Sequence, residues 1–134
     1  MQFSPQQRLD LTPLIIQMLD DWGVSDADKI DMLALPDSTR TRAIRGMREG
    51  VKPLPEGGAI DERIEHLLGI ADALHTSNPL NEQAGAMWMR RRNNRFQDRP
   101  PVHAMLEDGL NGIMAVRGHL DCAWDWHVHG SSKV

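Results

Sequence analysis

Apolar positions in this chain recur at three- and four-residue spacing, and sustained two-residue alternation is missing. There is no tyrosine and there are only two phenylalanines, so strand signals are nearly absent. The pattern predicts an all-α fold. Ser4-Pro5 and Thr12-Pro13 each read as an N-cap followed by proline at the first helical position. A first helix therefore starts near Pro5 or Pro13 and runs to about Asp21. Its apolar stripe is Leu14, Ile15, Met18, Leu19 and Trp22. Gly23 supplies a turn, and Ser25 with Asp28 resembles a capping box with a short acid. The next helix covers about 26–35, with Ile30 and Leu33 inward. Pro36-Asp37-Ser38 ends it and caps another over about 39–49, which Gly50 stops.

The stretch 51–59 holds two prolines and two glycines and reads as a loop. The clearest amphipathic helix follows. Ile60, Ile64, Leu67, Leu68, Ala71 and Leu74 form one stripe at helical spacing, and Asn78-Pro79 ends it. Three more helices are expected, at about 81–92, 101–107 and 110–126. Ala84, Met87 and Trp88 face inward on the first, and Ile113, Val116, Leu120 and Trp124 form the seam of the last. This organisation divides the chain into 1–77 and 78–134.

Charge changes the picture in one place. The whole chain carries −4, which gives no general attraction to nucleic acid. Within 38–52, however, Arg40, Arg42, Arg45, Arg48 and Lys52 stand against Glu49 alone, a local net charge of +4. Helix, turn, short helix, turn, helix is also the spacing of a helix-turn-helix, whose last helix enters the DNA major groove. On the helical wheel Ala43, Ile44, Met47 and Val51 share one face. Arg42 and Arg45 point away from it, with Thr41 and Arg48 on the flanks. Arg40 falls near the apolar edge, placed to snorkel or to pair with an acid. Thr39, Thr41, Arg42, Arg45 and Arg48 are the expected DNA contacts, since arginine reads guanine edges and threonine reaches bases or phosphates. The plain alternative is a solvated helix face.

Other chemistry is weaker. One cysteine, Cys122, gives no disulfide framework and fits a reducing cytoplasm. No leader pattern is present, and no apolar run nears the roughly 20 residues of a membrane span, so a cytoplasmic protein is expected. His119, Asp121, Cys122, His127 and His129 invite a metal reading, but no second close Cys/His pair has zinc spacing. A small metal-dependent enzyme using the C-terminal histidines is the rival from another class. Neither a nucleophile elbow nor a phosphate-binding glycine loop is present. The reading is therefore a non-enzyme without catalytic residues, metal or cofactor. Arg90-Arg91-Arg92 reads as a solvated helix end ahead of an RNA contact, because no sheet of stacking aromatics accompanies it.

One ordered set of residues is more specific. Trp88, Arg91, Asn94, Phe96, Arg99, Pro100 and Pro101 are followed by Leu106, Asp108, Gly109, Gly112, Val116 and Leu120. This order resembles the toxin-binding domain of the Xre/MbcA/ParS-type antitoxins. The match covers about 86–120 well and 14–49 more loosely. The resemblance implies an Xre-like helix-turn-helix followed by a helical toxin-binding domain. It also implies a partner, a RES-domain toxin that uses NAD, whose active site the antitoxin covers with its C-terminal region. Phe96, the prolines and the glycines read as scaffold. Toxin contact is then expected at exposed residues, namely Arg91, Arg95, Arg99, Trp126, His127 and His129. Operator DNA and a second copy of the chain are the other expected partners. The alternative is a stand-alone helix-turn-helix regulator whose second half only dimerises.

Overall fold

The computed structural model describes residues 3–125 and is all-α over that range. It contains α1 (Pro5–Asp21), α2 (Asp26–Met32), α3 (Thr41–Arg48), α4 (Gly58–Ser77), α5 (Glu82–Arg90), α6 (Pro101–Asp108) and α7 (Leu110–Asp125), with a 3₁₀ turn at Asn94–Phe96. The chain divides into two compact units, 1–65 and 66–134. The boundary falls inside α4, whereas proline punctuation had placed it after that helix. No helix among the described residues is long and apolar enough to cross a membrane.

In the first unit α1 begins at the earlier of its two candidate starts. Ser4 Oγ accepts from Gln7 N at 3.1 Å, and Gln7 Oε1 accepts from Ser4 N at 2.9 Å, a complete capping box with Pro5 behind it. Thr12 is not a cap. Its buried hydroxyl donates to Arg8 O at 2.6 Å and accepts from Leu54 N at 2.9 Å, tying the 49–57 loop to α1. Pro13 consequently lies within the helix. The buried stripe is Ile15, Ile16, Leu19 and Trp22, while Leu14, expected inside, is 66% exposed.

Three helices end alike. Gly23, Ala34 and Gly50 each adopt positive φ, at 80°, 55° and 80°. Val24 N donates to Leu19 O, Leu35 N to Ile30 O and Val51 N to Gly46 O, the longer bond of a Schellman turn. Ala34 carries the left-handed strain that glycine avoids at the other two ends. This turn closes α2 before the expected Leu35. α3 starts at Thr41, after the expected start, because Arg40 is its N-cap and Ser38 and Thr39 belong to the preceding turn. The α2–α3 connection is therefore 33–40, longer than the three or four residues of a helix-turn-helix turn. α3 packs on α1 and α2 through buried Ile44 and Met47. Val51, expected on that face, is 75% exposed beyond the Schellman turn.

In the second unit α6 packs against both α5 and α7. Gly109 joins α6 to α7 at φ 65°. At Gly112 a methyl group would run into the carbonyl oxygen of Ala104, so these two helices meet backbone to backbone. Ile113, Val116 and Leu120 are buried as the periodicity predicts. On α5 the inward residue is Met89, and Met87, expected inside, is 45% exposed.

Candidate functional site

The candidate site in the first unit is α3, and partly buried ion pairs hold it in place. Lys29 is fully buried. Its ammonium donates to Val24 O at 2.6 Å and meets Asp20 at 2.6 Å and Asp26 at 3.0 Å. Arg48, at the end of α3, makes a two-point contact with Asp20, Nε and Nη2 both at 2.9 Å, and reaches Asp26 at 2.6 Å. Two carboxylates thus bind two cations, joining α1, α2 and α3. Hydrogen bonds from Arg48, then from Lys29, outweigh desolvation and pull the Asp20 carboxyl down to about 2. Asp26 is lowered by the same partners, Arg48 first, and Arg48 is driven above its already high value by Asp20 and then Asp26.

This geometry corrects one expectation. Arg48 was expected at DNA, but its guanidinium is committed to Asp20 and Asp26 and serves the fold. The other expected contacts differ in freedom. Thr41 and Arg42 are exposed and Thr39 is half-buried. Arg45 is exposed and pairs with Glu49 at 3.2 Å, a surface contact weak enough for an incoming phosphate to displace. Arg42 has no acidic partner among the described residues.

Beside Arg42 lies a cleft of about 380 Å³ lined by Ser38, Thr39, Arg40, Arg42 and Lys52 over Met47. By pattern alone Arg40 falls on the apolar edge of the helix and Lys52 in a loop. The Schellman turn at Gly50 folds the chain back onto α3 and brings the two together in one lining. Lys52 N donates to Gly46 O at 3.3 Å, and a methyl group on Gly46 would lie 3.5 Å from Lys52 Cβ.

The second unit builds a different surface. Trp88 stacks nearly parallel on His119 at 6.1 Å, and the Phe96 ring stands edge-on to both, at 6.2 and 5.6 Å. Burial, then the nearby Arg95 charge, lowers the pKa of His119 below the usual histidine value. Phe96 is buried, as expected of a scaffold residue. It anchors a turn in which Asn93 N donates to Arg99 O at 3.2 Å and Asn93 Oδ1 accepts from Arg95 N at 3.0 Å. Gln97 and Asp98 both sit at φ 61°, non-glycine residues in left-handed backbone.

Arg99, expected at the toxin, locks that turn instead. Its Nε donates to Phe96 O at 2.9 Å, and its amino groups meet Asp108 at 2.9 Å and Glu107 at 3.1 Å at the end of α6. The pairing raises Arg99 and lowers Asp108. Arg91, at the end of α5, and Arg95, within the turn, are exposed with no acidic partner among the described residues. Trp126, His127 and His129 lie outside the described residues. No three His, Cys, Asp or Glu side chains gather for a metal ion among the described residues.

Comparison with protein-family models, with curated proteins and with solved structures gives no match.

Proposed function

We propose that the chain is an antitoxin of the Xre/MbcA/ParS type, which neutralises a RES-domain, NAD-using toxin and represses its own operon through α3. The observation that carries the reading is the turn at 93–99. The residues of the antitoxin resemblance have scaffold roles there. Phe96 anchors the turn, Arg99 ties it to α6, and Gly112 lets α7 press on α6. The same scaffold presents Arg91 and Arg95 with their charge unspent. In this reading they meet an acidic toxin surface, while the C-terminal region, with Trp126, His127 and His129, covers the active site. An aromatic anchor suits that role, because tryptophan and arginine dominate interface energetics. A cytoplasmic location and a dimer on two-fold operator DNA belong to the same proposal.

The rival is a stand-alone regulator, favoured by the free cations of α3. Co-purification separates the two. An antitoxin retains the RES-domain protein encoded beside it through size exclusion, and a stand-alone regulator elutes without it.

The DNA arm has its own test. Arg42→Ala with Arg45→Ala is expected to weaken binding to the upstream operator in gel shifts by at least tenfold, as befits loss of an arginine contact worth about 1–3 kcal/mol. Helicity stays unchanged, because both side chains point away from Ile44 and Met47. Equal shifts for wild type and variant would remove α3 from DNA recognition.

A further inference from the structure

We infer that the cleft beside α3 is a phosphate-binding site, in which Arg40, Arg42 and Lys52 enclose a phosphate group and Ser38 and Thr39 supply hydroxyl donors. The inference deepens the DNA reading of α3 and rests on it where the phosphate belongs to a nucleic-acid backbone.

The charge of 38–52 is spent unevenly. Of its five cations, Arg48 is consumed by Asp20 and Asp26, and Arg45 leans on Glu49. The other three, Arg40, Arg42 and Lys52, have no acidic partner among the described residues. All three line the same cleft, and no carboxylate lines it. A solvated face would scatter its unpaired cations. Here the backbone gathers them. Arg40 precedes α3 as its N-cap, Arg42 lies on its first turn, and the turn at Gly50 returns Lys52 along the glycine-bare side of α3 at Gly46. Three like charges held together in water repel one another, and a shared anion relieves that repulsion.

Ala43, Met47 and Pro55 add apolar surface to the same lining. A cleft of about 380 Å³ has room for more than a bare phosphate. The sugar attached to a phosphate suits that apolar surface, whether it belongs to a DNA backbone or to a free nucleotide. The chemistry recognised is the same in both cases: a phosphate ester with an adjoining sugar.

Amide shift mapping by NMR on the full chain tests this with two probes, a duplex of unrelated sequence and AMP. The amides of Thr39, Arg40 and Lys52 are expected to move with at least one probe. Movement with the duplex assigns the phosphate to DNA backbone, and movement with AMP alone assigns it to a free nucleotide. Movement with neither overturns the site. The variant Arg40→Ala with Lys52→Ala keeps every ion pair of α3. It should bind whichever probe responds at least tenfold more weakly. With the duplex it should also lower the salt slope of binding by about 2, as expected when two phosphate contacts are lost. Unchanged affinity in a folded variant also overturns the site. If Arg42→Ala with Arg45→Ala abolishes operator binding while this variant binds like wild type, the DNA reading stands and the cleft falls. If AMP moves these amides and no duplex binds, the cleft stands and the DNA reading falls.

Discussion

Replacing Asp20 with alanine is expected to destabilise the first unit by roughly 3 kcal/mol, the low end of the cost of stripping one partner from a buried charge pair. Lys29 is fully buried and has two carboxylates, Asp20 at 2.6 Å and Asp26 at 3.0 Å. The substitution leaves it with one, and Arg48 loses its two-point contact as well. Urea unfolding followed by circular dichroism should show the midpoint falling. The double variant Asp20→Ala with Lys29→Met should recover much of the loss, because a buried cation short of one of its two carboxylates costs more than a well-packed methionine. The pH dependence has a definite sign. The Asp20 carboxyl is depressed from 3.8 to about 2 in the folded chain. Its contribution is therefore complete above the unfolded value and is lost as pH falls through about 2. Wild type should lose on the order of 2 kcal/mol from this group between pH 5 and pH 2, and the alanine variant should lack that increment. An unchanged urea midpoint would mean that the ion pairs do not hold α3, and would return Arg48 to the surface contacts.

Gly112→Ala is expected to cost about 3 kcal/mol, at the high end for overpacking. A β-carbon there meets the backbone of Ala104, which cannot swing aside as a flexible side chain can. Gly112→Val should leave the second unit largely unfolded. Gly118 lies on the same helix, and a β-carbon there meets nothing within 4 Å. Gly118→Ala should therefore raise stability by about 0.5–1 kcal/mol through helix propensity alone. Thermal unfolding of the two alanine variants should show shifts of opposite sign. Shifts of the same sign would mean that α6 and α7 do not meet at Gly112.

Much of the fold was legible because its signals are local. Ser4-Pro5, Ser25, Gly23, Gly50 and Gly109 act through hydrogen bonds or dihedrals within a few residues of themselves, and each lies at a helix end. The seam Ile113, Val116 and Leu120 follows from periodicity within one helix. The misreadings involve either partners distant in sequence or a turn that lacks its usual marker residue. Thr12-Pro13 has the form of a helix start, but Thr12 is bound across the unit to Leu54. Ala34 ends α2 with no glycine to mark the place.

The site was less legible for the same reason. Lys29 is buried only because residues on α1 and α2 supply carboxylates, so its own segment reads as a polar helix. Arg48 and Arg99 look like the other surface arginines until Asp20, Asp26, Glu107 and Asp108 are brought beside them. Net charge located the basic segment of α3, but only pairing shows which of its cations are free. Periodicity puts Trp88 inward on α5, but its stacking on His119, a residue thirty-one positions away, lies outside any pattern within that helix.

The central claim is toxin neutralisation, and growth rescue tests it most directly. Cells expressing the RES-domain protein encoded beside this chain should stop growing and lose NAD. Co-expression of the full chain should restore both growth and NAD. The variant Arg91→Glu with Arg95→Glu, of unchanged helicity, should restore neither. Rescue by that variant equal to wild type would remove the 93–99 turn from the toxin interface. Failure of the wild-type chain to restore growth, with both proteins soluble and expressed, would contradict the antitoxin reading itself.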